Sequence, residues 1–193
     1  MLLPIVKAFS KNFGLVGGTA IALHIGHRES IDFDLFSYED FNNASIKRKI
    51  EKIISIDNTL VKKSGEYTFL IGGVKFTFFQ YPYQINYSDR FEAIIRLPNL
   101  LTLAAMKIFA LGRRAKWKDY VDMCFILKEF HSLEEINQKA KEIFGKEYNE
   151  KIIRSQLSYF DDVNYSEKVI YKEGFNVDDE TVKKFLIEKS LDL

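Results

Sequence analysis

The sequence predicts an α+β protein, in which a small mixed β-sheet with flanking helices is followed by a helical C-terminal half. Three observations carry this. Helical and strand-like patterns alternate up to Pro98, and nearly every pattern after it has helical period. Gly72-Gly73 also separates two apolar runs, YTFLI and VKFTFFQY, as a two-residue hairpin turn requires. The chain has 193 residues, which fits one large domain or two small ones, and the change of character divides it into 1–97 and 98–193.

Taken in order, residues 3–11 read as a short helix. FGLVGG is a brief apolar run stopped by two glycines, which suits a strand entering a tight turn. TAIALHIG follows as a helix, with Thr19 placed to cap it. IDFDLF alternates acidic and apolar residues, the period of a strand. IKRKIEKIISI, at 46–56, reads as a basic amphipathic helix, and the Gly72-Gly73 hairpin completes a sheet of three or four strands. Beyond Pro98 helices are expected at about 99–113, 116–130, 132–144, 147–158 and 178–190.

Composition narrows the class. Apolar residues make up 47% and aromatics 15%, a globular balance. No apolar run is long enough to cross a membrane, and the start MLLPIVKAFSKNFG lacks a charged leader region, so a cytoplasmic protein is expected. The single cysteine, Cys124, lies in the run MCFIL and reads as a core thiol; it excludes an internal disulfide and any cysteine-based metal cluster. With 28 basic and 27 acidic residues the net charge of +1 does not reveal a polyanionic partner.

Chemistry concentrates at Asp32 and Asp34. Two apart on a strand, their carboxylates leave one face and repel each other, an arrangement that a hard divalent cation relieves. Such a cation can orient a triphosphate and neutralise charge on leaving pyrophosphate. Upstream, Gly17-Gly18 at a strand-to-helix turn offers bare backbone and a helix N-terminus to phosphates. Downstream, Lys107 and Arg114 lie two helical turns apart on one face, the first beside an apolar stripe and the second a natural fork for phosphate oxygens. Asp119 and Asp122 share a face at i, i+3. Either could face a reacting hydroxyl or form an ion pair with Arg114 or Lys118; for Asp122 the ion pair is preferred, while Asp119 is left open between the two. His24 and His27 have a zinc-compatible spacing but lack companions, and Trp117 reads as a packing anchor rather than a base-stacking residue.

The string GGTAIALHIGHRESIDFDLF resembles the opening motif of the AbiEii/AbiGii-type nucleotidyltransferases of the DNA polymerase β-like superfamily, which include toxins of toxin–antitoxin systems. NLLTLAAMKIFALGRRAKWKDYVDMCFIL is similar to the same family's helical block, and the resemblance spans about residues 13–130. It implies a nucleotidyltransferase core in 1–97 and a helical domain in 98–193 that completes the active-site cleft. It implies a metal site of Asp32 and Asp34 for Mg2+ or Mn2+. Gly17, Gly18, Thr19, Arg28, Ser30, Lys107 and Arg114 would bind the NTP, and Lys107 and Asp119 would join the two aspartates in catalysis. An RNA or tRNA end is the implied acceptor, a toxin the implied role and an antitoxin protein the implied partner. One departure stands out: Thr77 falls where the superfamily usually carries a third metal-binding acid, with Glu66 the only acid nearby. That departure keeps two alternatives open, a binding module for nucleotide or RNA whose catalysis has lapsed and an enzyme that modifies a small molecule such as an antibiotic.

Overall fold

The structure, a computed structural model, describes residues 2–192. These residues fall into two compact units. One comprises the chain as far as Leu23 together with Ser30–Asn99; the other comprises His24–Glu29 and the chain from Leu100 onward. The loop 24–29 thus groups with the helical unit although it lies far upstream of it in sequence.

The first unit opens with α1 (Leu3–Phe9), β1 (Gly14–Val16) and the first turns of α2 (Gly17–Ile25). It continues through β2 (Phe33–Ser37), α3 (Asn43–Glu51), β3 (Asn58–Lys63), β4 (Glu66–Ile71), β5 (Val74–Gln80), β6 (Asp89–Phe91) and β7 (Ile95–Leu97). Among the described residues a five-stranded sheet runs in the order β1-β2-β5-β4-β3, and β6 and β7 pair separately. The sheet is mixed: β2 runs parallel to β5, while the other neighbours are antiparallel.

The β4–β5 hairpin turns as its sequence predicts, with φ of 56° at Gly72 and 76° at Gly73, the positive values that side chains resist. One sheet face carries Leu35, Tyr67, Phe69, Phe76 and Phe78, all fully buried. Phe9 and Phe13 meet Phe78 edge-on at 4.8 and 5.0 Å between ring centres. Each such buried ring contributes about 1.5–3 kcal/mol. The fifth strand, β3, was not foreseen: it is a largely exposed edge bearing Lys62 and Lys63, so it carries no alternation to read and its charges discourage further pairing. Helix α3 begins three residues earlier than its isoleucines suggest, because Asn42 caps it by accepting from the Ser45 amide.

The second unit contains α4 (Leu100–Leu111), α5 (Trp117–Glu129), α6 (Leu133–Phe144), α7 (Glu150–Leu157) and α8 (Asp179–Leu191). Their starts follow local chemistry: Ser132 and Glu135 form a reciprocal capping box, and Asn149 and Asp178 cap the next two helices. Helix α4 is buried on nearly every side, and Phe109 stacks on Phe144 of α6 at 3.8 Å. Trp117 is an anchor, packed among Tyr120, Phe160 and Tyr165. Cys124 is buried, and burial pushes its thiol up to about 11. Among the described residues no helix is long and apolar enough to cross a membrane.

Candidate active site

The acidic row lies on the sheet face opposite the aromatic core. Asp34 pairs with Thr77 across β2–β5, and Thr77 pairs with Thr68 across β5–β4, so the three side chains stand in one line. Val16 closes the line on the β1 side. Thr77 therefore stands directly beside Asp34, where a third acid would have to be. Glu66 lies two strands from β2 and opposite Phe79 rather than Thr77, and it pairs with Lys63 at 2.9 Å.

Gly17 shapes the approach to Asp34. Its φ is +71°, and a Cβ there would collide with the Asp34 carboxylate, which lies directly over the turn. Glycine is required on both counts. Thr19 does not cap α2, which starts at Gly17 itself. Its buried hydroxyl instead bonds the Ser30 hydroxyl at 2.9 Å and donates to the Asp32 carbonyl. Thr19 and Ser30 thereby fasten the start of the helix to the segment that enters β2.

Asp32 sits just before β2 begins, and both its oxygens are engaged by one residue. The Lys75 amide donates to Oδ1 at 3.1 Å, and the Lys75 ammonium stands 3.1 Å from Oδ2. Lys75 is a site residue that the sequence did not single out; its place beside Asp32 follows only from the parallel β2–β5 register.

These residues fit a single hard cation. Magnesium is commonly held by one or two carboxylates, with substrate phosphates and water filling the remaining positions. Asp32 and Asp34 supply that set, the Gly17 turn leaves Asp34 room over the backbone, and Thr77 adds a neutral oxygen. Among the described residues no cluster of three or more His, Cys, Asp or Glu side chains could form an all-protein cage.

A second polar centre lies inside the helical unit. Asp122, fully buried, accepts from Arg28 Nε and Nη2 at 2.7 and 2.8 Å, lies 2.8 Å from His27 Nε2, and pairs with the Lys107 ammonium at 3.0 Å. Lys107 also donates to Asp119 at 2.7 Å, and Asp119 accepts from Arg114 at 3.2 Å. Arg28, Lys107, Asp119 and Asp122 are all buried, whereas the Arg114 side chain is 56% exposed. Burial alone would raise the Asp122 carboxyl, but Lys107 and Arg28 outweigh it and hold the group far below the usual carboxylate range. Burial likewise opposes charge on Lys107 and Arg28, yet Asp119 and Asp122 raise Lys107, and chiefly Asp122 raises Arg28.

The comparisons with known proteins agree with one another. The family model described as "Nucleotidyl transferase AbiEii toxin, Type IV TA system" matches residues 5–90. The uncharacterized protein aq_aa25 of Aquifex aeolicus (strain VF5) is 32% identical over 156 residues, which is 78% of this chain and 75% of that one. The chain belongs to the AbiEii nucleotidyltransferase toxin family. MenT4, the nucleotidyltransferase toxin Rv2826c from Mycobacterium tuberculosis H37Rv, superposes with a TM-score of 0.61 at 9% identity, covering 98% of this chain and 80% of its own. JHP933 from Helicobacter pylori superposes with a TM-score of 0.57 at 16% identity, covering 96% and 85%. At such identities these two establish a shared fold.

In this AbiEii-family nucleotidyltransferase the residues expected at the site thus divide into two groups. Gly17, Gly18, Thr19, Ser30, Asp32 and Asp34 lie in the sheet unit; Arg28, Lys107, Arg114 and Asp119 lie in the helical unit. Asp122 is an ion-pair residue, as preferred from sequence, but its counter-charges are Arg28 and Lys107 rather than Arg114 or Lys118. Lys118 pairs with Glu167. The segment between residues 158 and 178, for which the sequence offered no reading, holds the 24–29 loop: the Glu29 amide donates to the Ile170 carbonyl and the Lys172 amide to the His27 carbonyl.

Proposed function

We propose that this nucleotidyltransferase moves an NMP group from an NTP to an acceptor hydroxyl on an RNA end, tRNA included, with a divalent magnesium or manganese ion at Asp32 and Asp34. In this reading it acts in the cytoplasm as the toxin of a toxin–antitoxin pair restrained by a cognate protein. The observation that carries the proposal is the Asp34 carboxylate lying over Gly17, in line with Thr77 and with Asp32 alongside.

When bound, the cation would supply charge neutralisation at the triphosphate and the leaving pyrophosphate. The chain's own residues orient the rest. Gly17 and Gly18 present backbone at the start of α2 to phosphate oxygens, and the Thr19–Ser30 bond keeps that turn in register with Asp32. Transfer of this kind depends on positioning and electrostatics more than on covalent help.

The helical unit's share is assigned by chemistry. Arg114 is exposed enough to exchange Asp119 for a phosphate, and its fork suits paired oxygens. Lys107 supplies fixed positive charge, held in place by two carboxylates. An Arg114 turned toward phosphate would uncover Asp119 Oδ2, which could then accept the hydroxyl proton. Arg28 acts through Asp122, as a positioning residue for the loop that leads to Ser30.

The test is incubation of the purified chain with each labelled NTP, magnesium or manganese, and total RNA. The expected result is one labelled RNA class with one preferred NTP, absent in Asp32→Asn and Asp34→Asn. NTP and manganese binding with no product in any RNA would replace transfer by simple nucleotide binding.

A further inference from the structure

Two residues along from Asp34 and Thr77, the same sheet face changes from acidic to aromatic. Phe36 pairs with Phe79 there, and their ring centres lie 5.2 Å apart. Tyr81 stands 5.0 Å from Phe36, and Tyr83 stands 5.3 Å from Tyr81. All four rings are half-buried and keep some surface open, in contrast with the fully buried Phe76 and Phe78 on the opposite face.

The row is bordered by positive charge. The Tyr87 ring lies across Gly14, leaving no room for a side chain beside Phe36, and its hydroxyl donates to the Phe36 carbonyl at 3.1 Å. The Arg96 guanidinium lies 4.9 Å from the Tyr87 ring centre. Arg96 also stands directly opposite Arg90 in the β6–β7 pair, a placement that sets two like charges side by side. The Arg96 Nε–H is buried without an acceptor among the described residues. Two arginines side by side, one with a donor that no acceptor meets, favour an anion, and the rings beside them keep part of their surface open to solvent.

We propose that Phe36, Phe79, Tyr81 and Tyr83 form a stacking platform for the unpaired bases of a single-stranded nucleic acid, with Arg90 and Arg96 taking its phosphates. Every base offers a π-face to such rings, so the platform selects unpaired strands rather than a sequence. The inference rests on the transfer reading in one respect: the platform begins one pleat from Asp34, where an acceptor strand would end.

The test measures binding of a fluorescently labelled single-stranded RNA and of the corresponding duplex to the full chain by anisotropy across salt concentrations. Tyr83→Ala and Tyr81→Leu probe the rings, the latter keeping apolar bulk against Phe36 and Phe79. Each should weaken single-strand binding about five- to a hundredfold while leaving duplex binding and the melting curve unchanged. Arg96→Gln should weaken single-strand binding and lower its salt slope by roughly one phosphate contact. Wild-type affinity in both tyrosine variants, or preference for the duplex, overturns the platform. The two readings fail separately: single-strand binding lost in the variants but no NTP ever transferred would refute transfer alone, and transfer with unaltered RNA binding and RNA KM in the variants would refute the platform alone.

Discussion

Both carboxylate oxygens of Asp122 accept from the guanidinium of Arg28, at 2.7 and 2.8 Å, across 94 residues of sequence. This fork, with His27 and Lys107 on the same carboxylate, fixes the 24–29 loop within the helical unit. A buried carboxylate shared by so many donors is weak evidence of net stabilisation but strong evidence of cost on disruption, because any partner left behind is a buried charge without compensation.

Asp122→Asn should therefore destabilise the chain by about 3–5 kcal/mol, read from urea denaturation. Arg28→Lys, which keeps charge but loses the fork, should cost less than Arg28→Met. Equal stability in Asp122→Asn and wild type would mean that the network is not closed in solution.

The same network sets a pH window. The folded-state pKa of Asp122 lies below its unfolded value, so its contribution is present above about pH 4 and fades as pH falls further toward the folded value. Lys107 is shifted the other way, so its contribution is present below about pH 10.4 and is lost as pH rises through its raised pKa. Denaturation curves from pH 2 to 12 should show both limbs, and Asp122→Asn should flatten the acidic one.

Gly17→Ala should damage activity beyond its effect on stability. The positive φ alone costs about 1–2 kcal/mol for a residue with a Cβ. The new methyl group must also push the Asp34 carboxylate aside. Single-turnover rates should fall even where the variant remains fully folded; a rate that tracks the folded fraction alone would remove Gly17 from the site.

Lys75→Met should release Asp32 from its internal counter-ion and tighten manganese binding. The pair is about one-third exposed, so the gain should be modest, about two- to fivefold by titration. Weaker manganese binding would show that Lys75 supports the metal site rather than competing for it.

Arg114→Met should raise the KM for NTP about ten- to a hundredfold while shifting stability by less than about 1 kcal/mol, because its side chain is more than half exposed. Lys107→Met should differ in kind: it leaves Asp119 and Asp122 short of buried positive charge, so its melting temperature should drop whether or not NTP binding changes.

The sequence by itself determined the α+β class, the helices from Leu100 onward, the Gly72-Gly73 hairpin and the pairing of Asp32 with Asp34 near a glycine turn. Each is local: apolar spacing, capping residues and positive-φ glycines act within a few residues and leave a readable period. The resemblance of its motifs to a known family also led to Thr77, which the structure pairs with Asp34. Only the tertiary structure decided what the charged residues meet. Lys107 beside an apolar stripe reads the same whether it reaches a phosphate or two carboxylates, since its partners Asp119 and Asp122 lie on another helix. Arg28 meets Asp122, and Asp32 meets Lys75, through contacts 94 and 43 residues apart that no periodicity encodes. Strand β3 and the support of the 24–29 loop by Ile170 and Lys172 were hidden for the same reason, because an exposed edge and a backbone bridge carry no side-chain pattern.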